Sequence, residues 1–362
     1  MRKKNSTPIL TTLRGEIDRI DTSLLELLNK RASVAVEIAG VKRKANQKFH
    51  VPEREAAIIK RLITMNKGLF PNDALKAIFR EIISASLALE EPLRVAYFGP
   101  EGTFTHLASI RHFGSSAKYI PVESIKAVFD AVEYGEADYG LVPIENSSEG
   151  VVSHTLDMFM DYDLKITAEV LLEVSHNLLS KSGEKGKVRK IYSHPQALAQ
   201  CRGWLETNMS GIPVLAAVST AKAAEIVVND DEAAAIASEL AAKLYDLKFI
   251  RRHIEDKRNN FTRFLVIAKE SPGKSGSDKT SIMFSLKNRP GALYDVLYPF
   301  KEARINLSKI ESRPSKRRAW EYIFFVDMEG HIDDEKVRKT IESVKGHCLY
   351  LTHLGSYPVD ES

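Results

Sequence analysis

The sequence has little cysteine, no long apolar run and almost no excess of charge. Its two cysteines, Cys201 and Cys348, lie far apart and lack the spacing of metal ligands. This excludes a disulfide framework, so we expect a reducing, cytoplasmic home. No apolar run approaches the ~20 residues of a membrane span, and the basic start leads into no signal-peptide core. The formal net charge of +4 is too small to favour nucleic acid or a membrane surface as a partner.

Three stretches of the chain follow different hydrophobic patterns, which predicts a multidomain protein. We expect an all-α unit at 1–91, an α/β unit at 93–270 and an α+β unit at 279–357. The segment from Ser271 to Asp278 is rich in glycine and serine and is the predicted linker between the last two units.

The first stretch has a helical pattern throughout. From Leu10 to Val41 apolar residues recur at three- and four-residue steps, the period of a helix with one apolar face. The first helix is predicted to run from about 8 to 44, and two shorter helices to start at Pro52 and after Asn72. One very long helix and two short ones cannot bury that face in a compact monomer, so we expect this unit to dimerise.

From Pro92 onward strand-like runs alternate with helical ones, which predicts a mostly parallel sheet covered by helices. Several of these strands run into helix starts that offer amides and hydroxyls: Gly102-Thr103, Ser193, Ser219-Thr220 and Ser238. Helix capping explains any one of them, whereas four in one unit favour an anionic ligand in a cleft. After the linker, the order β-α-β-β-α-β is that of the ferredoxin-like fold, common in small regulatory modules.

Basic residues of the long predicted helix have a spacing that suits a small dianion. Arg31 and Lys42 are about 16 Å apart along a helix axis and nearly on one face. Arg14 lies about 42 Å from Lys42 on the same helix, so a site that contains both needs a second chain. Because lysine and arginine are common on solvated helix faces, spacing alone leaves that alternative open.

These charges belong to a pattern that resembles the all-helical chorismate mutases over about 8–91. Its elements are Leu13-Arg14, Ile17-Asp18, Asp21, Leu28, Arg31, Val36, Lys42, Pro52 and Arg54-Glu55. The resemblance implies an intertwined dimer in which Arg14 reaches the partner's site and, with Arg31, holds the substrate carboxylates. Lys42 and Glu90 would face the ether oxygen. Three more residues would orient the ring and its hydroxyl: Arg54, Glu55 and Ser86.

The implied reaction is a one-molecule Claisen rearrangement, which needs no nucleophile, metal or cofactor. Positioning of the reactive conformer and stabilisation of charge at the breaking C–O bond are enough. Glu90 departs from bacterial relatives, which have glutamine at this position. A carboxylate only accepts hydrogen bonds and repels negative charge on the ether oxygen, so we expect Glu90 to work in its protonated form. The alternative is a solvated carboxylate at the helix end.

The α/β stretch resembles prephenate dehydratase over roughly 93–270. Four motifs carry the resemblance: Gly99–Thr105, Pro143–Gly150, Ser193–Ala197 and Asn260–Phe264. It implies two subdomains around a cleft, similar to type II periplasmic binding proteins. The first motif lacks the Gly-Lys-Ser/Thr of a phosphate loop and the GxGxxG of a dinucleotide site.

The reaction implied by this resemblance releases carbon dioxide from the ring and expels the ring hydroxyl. It needs a proton donor at the hydroxyl and fixed cations or amides at the carboxylates. By the resemblance Thr262 acts at the hydroxyl. The residues that would line the cleft are Thr103, Glu145, Asn146, Ser147, Ser193, Gln196, Arg263 and Phe264. His194, before Pro195, is interpreted as a structural loop residue, and Cys201 as a core residue.

The last stretch resembles the ACT domain of prephenate dehydratases. Its motifs are Arg289–Tyr294, Ile305–Leu307 and Glu311–Pro314. The resemblance implies phenylalanine binding between two protomers and feedback inhibition. The implied effector-binding residues are Gly291, Ala292, Leu293, Asn306, Leu307, Glu311, Ser312, Arg313 and Pro314.

Together the motifs predict a homo-oligomeric (dimeric or tetrameric) bifunctional enzyme of phenylalanine biosynthesis, which converts chorismate to prephenate and prephenate to phenylpyruvate. Two alternatives stay open. One is a prephenate dehydratase whose helical unit is mainly structural, against which the full charged set of that unit argues. The other is a non-catalytic binding protein that senses an amino acid, against which the intact motifs around Asn146 and Thr262 argue.

Overall fold

A computed structural model of the chain describes residues 6–45, 50–148, 150–287, 289–314 and 322–360. A helical unit comes first, with α1 (Ser6–Lys44), α2 (Pro52–Met65) and α3 (Asn72–Glu90). These bounds confirm the prediction of one very long helix followed by two short ones. α3 packs against both of the others, and Ala39 of α1 and Ile83 of α3 are buried.

The long helix leaves its apolar side uncovered by the described part of the chain. Leu24 is 53% and Leu27 is 63% exposed, although leucine is a residue that favours burial. Other exposed apolar residues of α1 are Ile9, Leu10, Leu13, Ile17, Ile20, Leu25, Leu28, Val34, Val36, Ile38 and Val41. A continuous apolar face of this length is typical of an interaction surface. It supports the prediction of a dimer, which stays a prediction.

The first α/β subdomain is built on one sheet. Its strands are β1 (Arg94–Phe98), β2 (Lys118–Val122), β3 (Tyr139–Asn146), β4 (Gly150–Val151), β5 (Lys165–Glu173) and β11 (Phe261–Ala268). They lie in the order β2-β1-β3-β11-β5, with β4 paired to β3. The helices that accompany them are α4 (Phe104–Phe113), α5 (Ile125–Glu133) and α6 (Ser153–Met158).

The second α/β subdomain lies between β5 and β11 in the chain. Its strands are β6 (Asn177–Ser180), β7 (Lys190–Ser193), β8 (Val214–Ala216), β9 (Ala233–Ala237) and β10 (Lys248–Arg251). They lie in the order β10-β6-β9-β7-β8. Its helices are α7 (Pro195–Gln200), α8 (Arg202–Asn208), α9 (Thr220–Val228) and α10 (Glu239–Leu244). Cys201, which follows α7, is fully buried in the core of this subdomain, as predicted.

Most strands of each sheet run in one direction, as predicted, but both sheets are mixed, because β11 in the first and β6 in the second run against their neighbours. β1 pairs in parallel with β2 and β3, and β7 with β8 and β9. In contrast, β11 is antiparallel to β3 and β5, and β6 is antiparallel to β9 and β10. The chain leaves the first subdomain after β5 and returns at β11, which runs opposite to the two strands beside it. Buried strands of both kinds are apolar, so the hydrophobic pattern does not distinguish them.

The C-terminal unit has the predicted ferredoxin-like order. Its elements are β12 (Asp278–Leu286), α11 (Ala292–Glu302), β13 (Leu307–Pro314), β14 (Tyr322–Glu329), α12 (Glu335–Lys345) and β15 (Cys348–Pro358). The sheet order is β13-β14-β12-β15, antiparallel throughout. None of the helices in the described ranges has the length and apolar character to cross a membrane.

The C-terminal sheet packs directly on the first subdomain. Phe325 and Leu354 share one buried core with Leu265 and Ile267 of β11. Gly355 of β15 lies so close to β5 that a Cβ there would come within 2.2 Å of the Ile166 carbonyl oxygen, which leaves no room for any other residue. The strand that carries Thr262 is therefore packed against the C-terminal unit on one of its faces.

Candidate active sites

A polar group forms between α1 and α3 from residues that the sequence pattern predicted. The Arg31 guanidinium donates to the Ser86 hydroxyl and, at 3.5 Å, to the carbonyl of Ile82. Ser86 donates to the same carbonyl at 2.7 Å. Ile82, Ser86 and Glu90 follow one another at four-residue steps along α3, so they lie on one helix face, which is turned towards α1.

Within this group, Glu90 is the residue whose pKa the surroundings shift. Burial raises the pKa of its carboxyl, while Lys42 and then Arg43 act to lower it. Its Oε2 atom is buried and has no hydrogen-bond partner among the described residues. Because an unpartnered buried oxygen disfavours the charged form, Glu90 is suited to carry a proton.

Three other predicted residues of the helical unit lie apart from this group in the single chain. Arg14 and Arg54 are exposed, on α1 and at the start of α2. Glu55 Oε1 lies 3.1 Å from His50 Nε2, and His50 Nδ1 lies 2.7 Å from the Tyr139 hydroxyl. Among the described residues, none of the hydrogen bonds of Arg31 goes to any of the three. Their predicted roles at one site therefore require a second chain or a change on ligand binding.

The predicted catalytic threonine is hydrogen-bonded to the predicted asparagine. Thr262 of β11 and Asn146 of β3 are partners in the sheet register. The Asn146 amide donates to Thr262 Oγ1 at 2.8 Å and to Asn260 Oδ1 at 2.9 Å. Thr262 Oγ1 thus accepts a hydrogen bond, which leaves its own proton to be donated to a ligand.

This contact continues into a hydrogen-bond network that joins the two subdomains. Asn260 donates to Gln200 Oε1 at 3.2 Å, and His176 Nε2 lies 2.8 Å from the same oxygen. Ser147 and Ser148 contact Asn260 Oδ1 at 3.4 and 3.3 Å. Burial lowers the pKa of His176, which favours the neutral ring, and Nε2 donates because a carboxamide oxygen only accepts.

Sequence reasoning did not select Asn260, Gln200 or His176. Asn260 lies within the recognised motif Asn260–Phe264, so the signal for it was present. No local pattern marks Gln200 at the end of α7 or His176 between the two subdomains, because only the fold brings them together.

The predicted helix starts are mostly caps. Thr103, Ser219 and Ser238 accept from backbone amides of α4, α9 and α10. Ser193 does not cap: its hydroxyl donates to the Ile236 carbonyl at 2.7 Å. His194 caps α7 instead, by accepting from the Gln196 amide at 3.4 Å, which supports the structural role predicted for it.

Three of these helix starts meet at the cleft. Gly102 has φ of +82° and lies where a Cβ would stand 3.4 Å from Ala241 Cβ and 3.5 Å from Ala221 Cβ. Ser238 donates to the Gly102 carbonyl at 2.8 Å. The first subdomain therefore touches the N-terminal ends of α9 and α10 at this point, so amide-rich helix ends from both subdomains border the cleft.

Arg263, Phe264 and Glu145, predicted to line the cleft, are placed elsewhere. Arg263 and Glu145 point to the opposite face of the sheet, because successive residues of a strand alternate in direction. Arg263 forms ion pairs with Glu169 at 2.8 Å and Asp327 at 2.7 Å, and Glu145 with Lys309 at 2.6 Å. Phe264 is buried in the core between the sheet and α4.

The predicted effector residues lie at the start of α11 and along β13. Gly291 has φ of +81° and precedes α11, with Ala292 buried and Leu293 partly exposed behind it. Asn306 donates to Glu329 at 2.8 Å, Leu307 and Glu311 are half-buried, and Ser312 and Pro314 are exposed. Arg313 was predicted to bind the effector, but its guanidinium donates to Ser153 and, at 3.1 Å, to Asp157 of α6. It therefore contacts the first subdomain.

Three family models match successive parts of the chain. They are chorismate mutase type II at residues 13–91, prephenate dehydratase at 95–272 and the ACT domain at 280–346. A bifunctional chorismate mutase/prephenate dehydratase of Aquifex aeolicus is 52% identical over 353 residues, covering 96% of this chain and 98% of that protein.

Solved structures match the part of the chain beyond the helical unit. A prephenate dehydratase of Arthrobacter aurescens, in complex with L-Phe, is 33% identical with a TM-score of 0.68 and covers 74% of this chain and 90% of its own. A protein described as GqqA, a novel type of quorum quenching acylase, is 30% identical with a TM-score of 0.68, at 74% and 98% coverage. One fold accompanies two activities, so the activity must be argued from side chains.

Proposed function

The chain belongs to the family of bifunctional chorismate mutase/prephenate dehydratases, and we propose that it converts chorismate to prephenate and prephenate to phenylpyruvate under feedback inhibition by phenylalanine. The observation that carries the second activity is the hydrogen bond from Asn146 to Thr262 inside the cleft. We assign the mutase to 1–91, the dehydratase to 93–270 and the regulatory domain to 279–357, in a cytoplasmic homo-oligomer.

The mutase proposal rests on the group between α1 and α3. The Claisen rearrangement breaks the C–O bond of the ether and forms a C–C bond in the same molecule, so the site supplies only position and charge. Arg31 offers a guanidinium to a carboxylate, while Lys42 and a protonated Glu90 donate to the ether oxygen as negative charge develops there. Arg14 from a second chain completes the grip, which agrees with the uncovered apolar face of α1.

The dehydratase proposal rests on the Thr262 hydroxyl. In prephenate the bond from the ring to its carboxylate breaks, carbon dioxide leaves, and the electron pair enters the ring as the C4 hydroxyl departs. The departing group needs a hydrogen bond or a proton to leave as water. Thr262 Oγ1 is held as an acceptor by Asn146, so its O–H points away from that amide. A threonine hydroxyl is a weak acid, and it acts by stabilising or relaying the proton.

A direct assay tests both activities and their control. The purified protein should consume chorismate and produce phenylpyruvate, and phenylalanine should slow the second step through the C-terminal domain. A matched incubation that starts from prephenate separates the steps. Consumption of chorismate without phenylpyruvate, or no response to phenylalanine, would contradict the corresponding part of the proposal.

Glu90→Gln should change the pH dependence of the mutase. Below its pKa the Glu90 carboxyl donates a hydrogen bond, and above it the carboxylate only accepts. Mutase activity of the unaltered protein should therefore fall as pH rises through that pKa, which burial has raised. Glutamine donates at every ordinary pH, so the variant's activity should persist at high pH.

The matched control is Glu91→Gln, which removes the neighbouring exposed carboxylate and should leave the profile unchanged. Rates of chorismate loss measured across pH for the three proteins check the prediction. Identical profiles for the unaltered protein and Glu90→Gln would remove Glu90 from the catalytic group.

A further inference from the structure

Behind the Asn146–Thr262 pair, the same two strands carry a second, charged pair. Glu145 and Arg263 are partners in the register of β3 and β11, immediately next to Asn146 and Thr262. Because side chains alternate along a strand, one pair faces the cleft and the other faces the C-terminal unit. Each cleft residue is therefore one peptide unit away from a charge on the reverse face.

The C-terminal unit presents the opposite charges at the same place. Lys309 of β13 and Asp327 of β14 are partners in their own sheet. Lys309 Nζ lies 2.6 Å from Glu145 Oε2, and Arg263 Nη1 lies 2.7 Å from Asp327 Oδ2. We name these four residues the charge quartet. A cavity of about 20 Å³ at the junction is lined by three of them, Arg263, Lys309 and Asp327.

The Arg263 half of the charge quartet is buried and reinforced. The side chains of Arg263 and Asp327 are 11% and 12% exposed. Glu169 is 2% exposed, and it also accepts from Arg263 and, at 2.8 Å, from Lys279. Burial alone would lower the pKa of Arg263, but Asp327, Tyr357 and Glu169 raise it overall. A buried charge without a partner is strongly disfavoured, and Arg263 is held by a carboxylate on each side, Glu169 of the first subdomain and Asp327 of the C-terminal unit.

We propose that Glu145 and Arg263 are positioning residues, which connect the cleft pair Asn146–Thr262 to the regulatory strands β13 and β14. Two predicted effector motifs flank Lys309 in the sequence: Ile305–Leu307 at the start of β13 and Glu311–Pro314 at its end. A ligand that moves β13 therefore moves Lys309, and through Glu145 it moves the strand that holds Asn146. Arg263 transmits a shift of β14 to Thr262 in the same way.

This inference rests on the proposed inhibition by phenylalanine and is tested on the full-length protein with Lys309→Met and Asp327→Asn. Neither residue touches the cleft, and both changes preserve side-chain size. Lys309→Met should raise the phenylalanine concentration for half-inhibition of the dehydratase by about ten-fold, with the calorimetric Kd for phenylalanine changed less than about three-fold. Asp327→Asn should act in the same direction. Lys339→Met is the matched control, because Lys339 is exposed and forms its ion pair with Glu335 of its own helix.

A charge exchange supplies a readout that a merely structural role would not give. Glu145→Lys and Lys309→Glu should each reduce sensitivity to phenylalanine, and the double variant should regain most of it because the ion pair is restored in reverse. If phenylalanine inhibits the unaltered protein and Lys309→Met equally, this inference is wrong and the proposed regulation stands. The same holds if the variant loses inhibition only in proportion to its loss of phenylalanine binding. An unaltered protein that ignores phenylalanine would overturn the proposed regulation and this inference with it.

Discussion

Thr262→Ala should lower phenylpyruvate formation by about 100-fold to 10,000-fold, while chorismate is still converted to prephenate at the unaltered rate. The hydroxyl that Asn146 orients is the group placed to act on the departing ring hydroxyl, and alanine removes it. The mutase group lies between α1 and α3 and contains no residue of β11, so it should be unaffected. Separate assays that start from chorismate and from prephenate measure the two effects.

Two variants control this prediction. Thr262→Ser keeps a hydroxyl and should retain activity within about ten-fold of the unaltered protein. Thr167→Ala removes a buried threonine hydroxyl from the neighbouring strand β5 and should leave both activities in place. Parallel loss of mutase and dehydratase in a folded Thr262→Ala protein would contradict the assignment of separate sites.

Arg14→Ala and Lys42→Ala should each abolish mutase activity when present in every chain. In a two-fold dimer, a chain with Arg14→Ala and a chain with Lys42→Ala form one intact site and one site that lacks both residues. After complete exchange half of the dimers are mixed, so the mixture should regain about a quarter of the unaltered activity. The axial separation of about 42 Å between the two residues is the reason that one chain cannot hold both at one ligand.

Native mass spectrometry should confirm that chains have exchanged before the mutase is assayed. Arg19→Ala is the control and should leave activity unchanged, because it changes an exposed arginine of the same helix that donates to the Gly15 carbonyl one turn earlier. Mixed dimers that form and stay inactive would refute the shared site. A protein that is monomeric at assay concentrations would refute the dimer that the exposed face of α1 supports.

Much of the fold was determined by local sequence. The three helices, the separation into three units and the ferredoxin-like order follow from hydrophobic period and from turn residues, which report on neighbours in the chain. The same holds for the burial of Cys201, whereas the cap of α7 by His194 in place of Ser193 was not predicted. Motif resemblance placed Thr262 and Asn146 in one site, and the structure joins them by a hydrogen bond.

The residues that surround the hydrogen bond between Asn146 and Thr262 were decided by the tertiary structure alone. Gln200 and His176 complete the network from the second subdomain, and no signal along the chain relates them to Thr262. Arg263 and Glu145 were predicted in the cleft because they belong to its motifs, but strand alternation turns them towards the C-terminal unit. A motif shows which residues are near in sequence; which face of a strand is the cleft depends on how β11 enters the sheet and on which domain covers its other side.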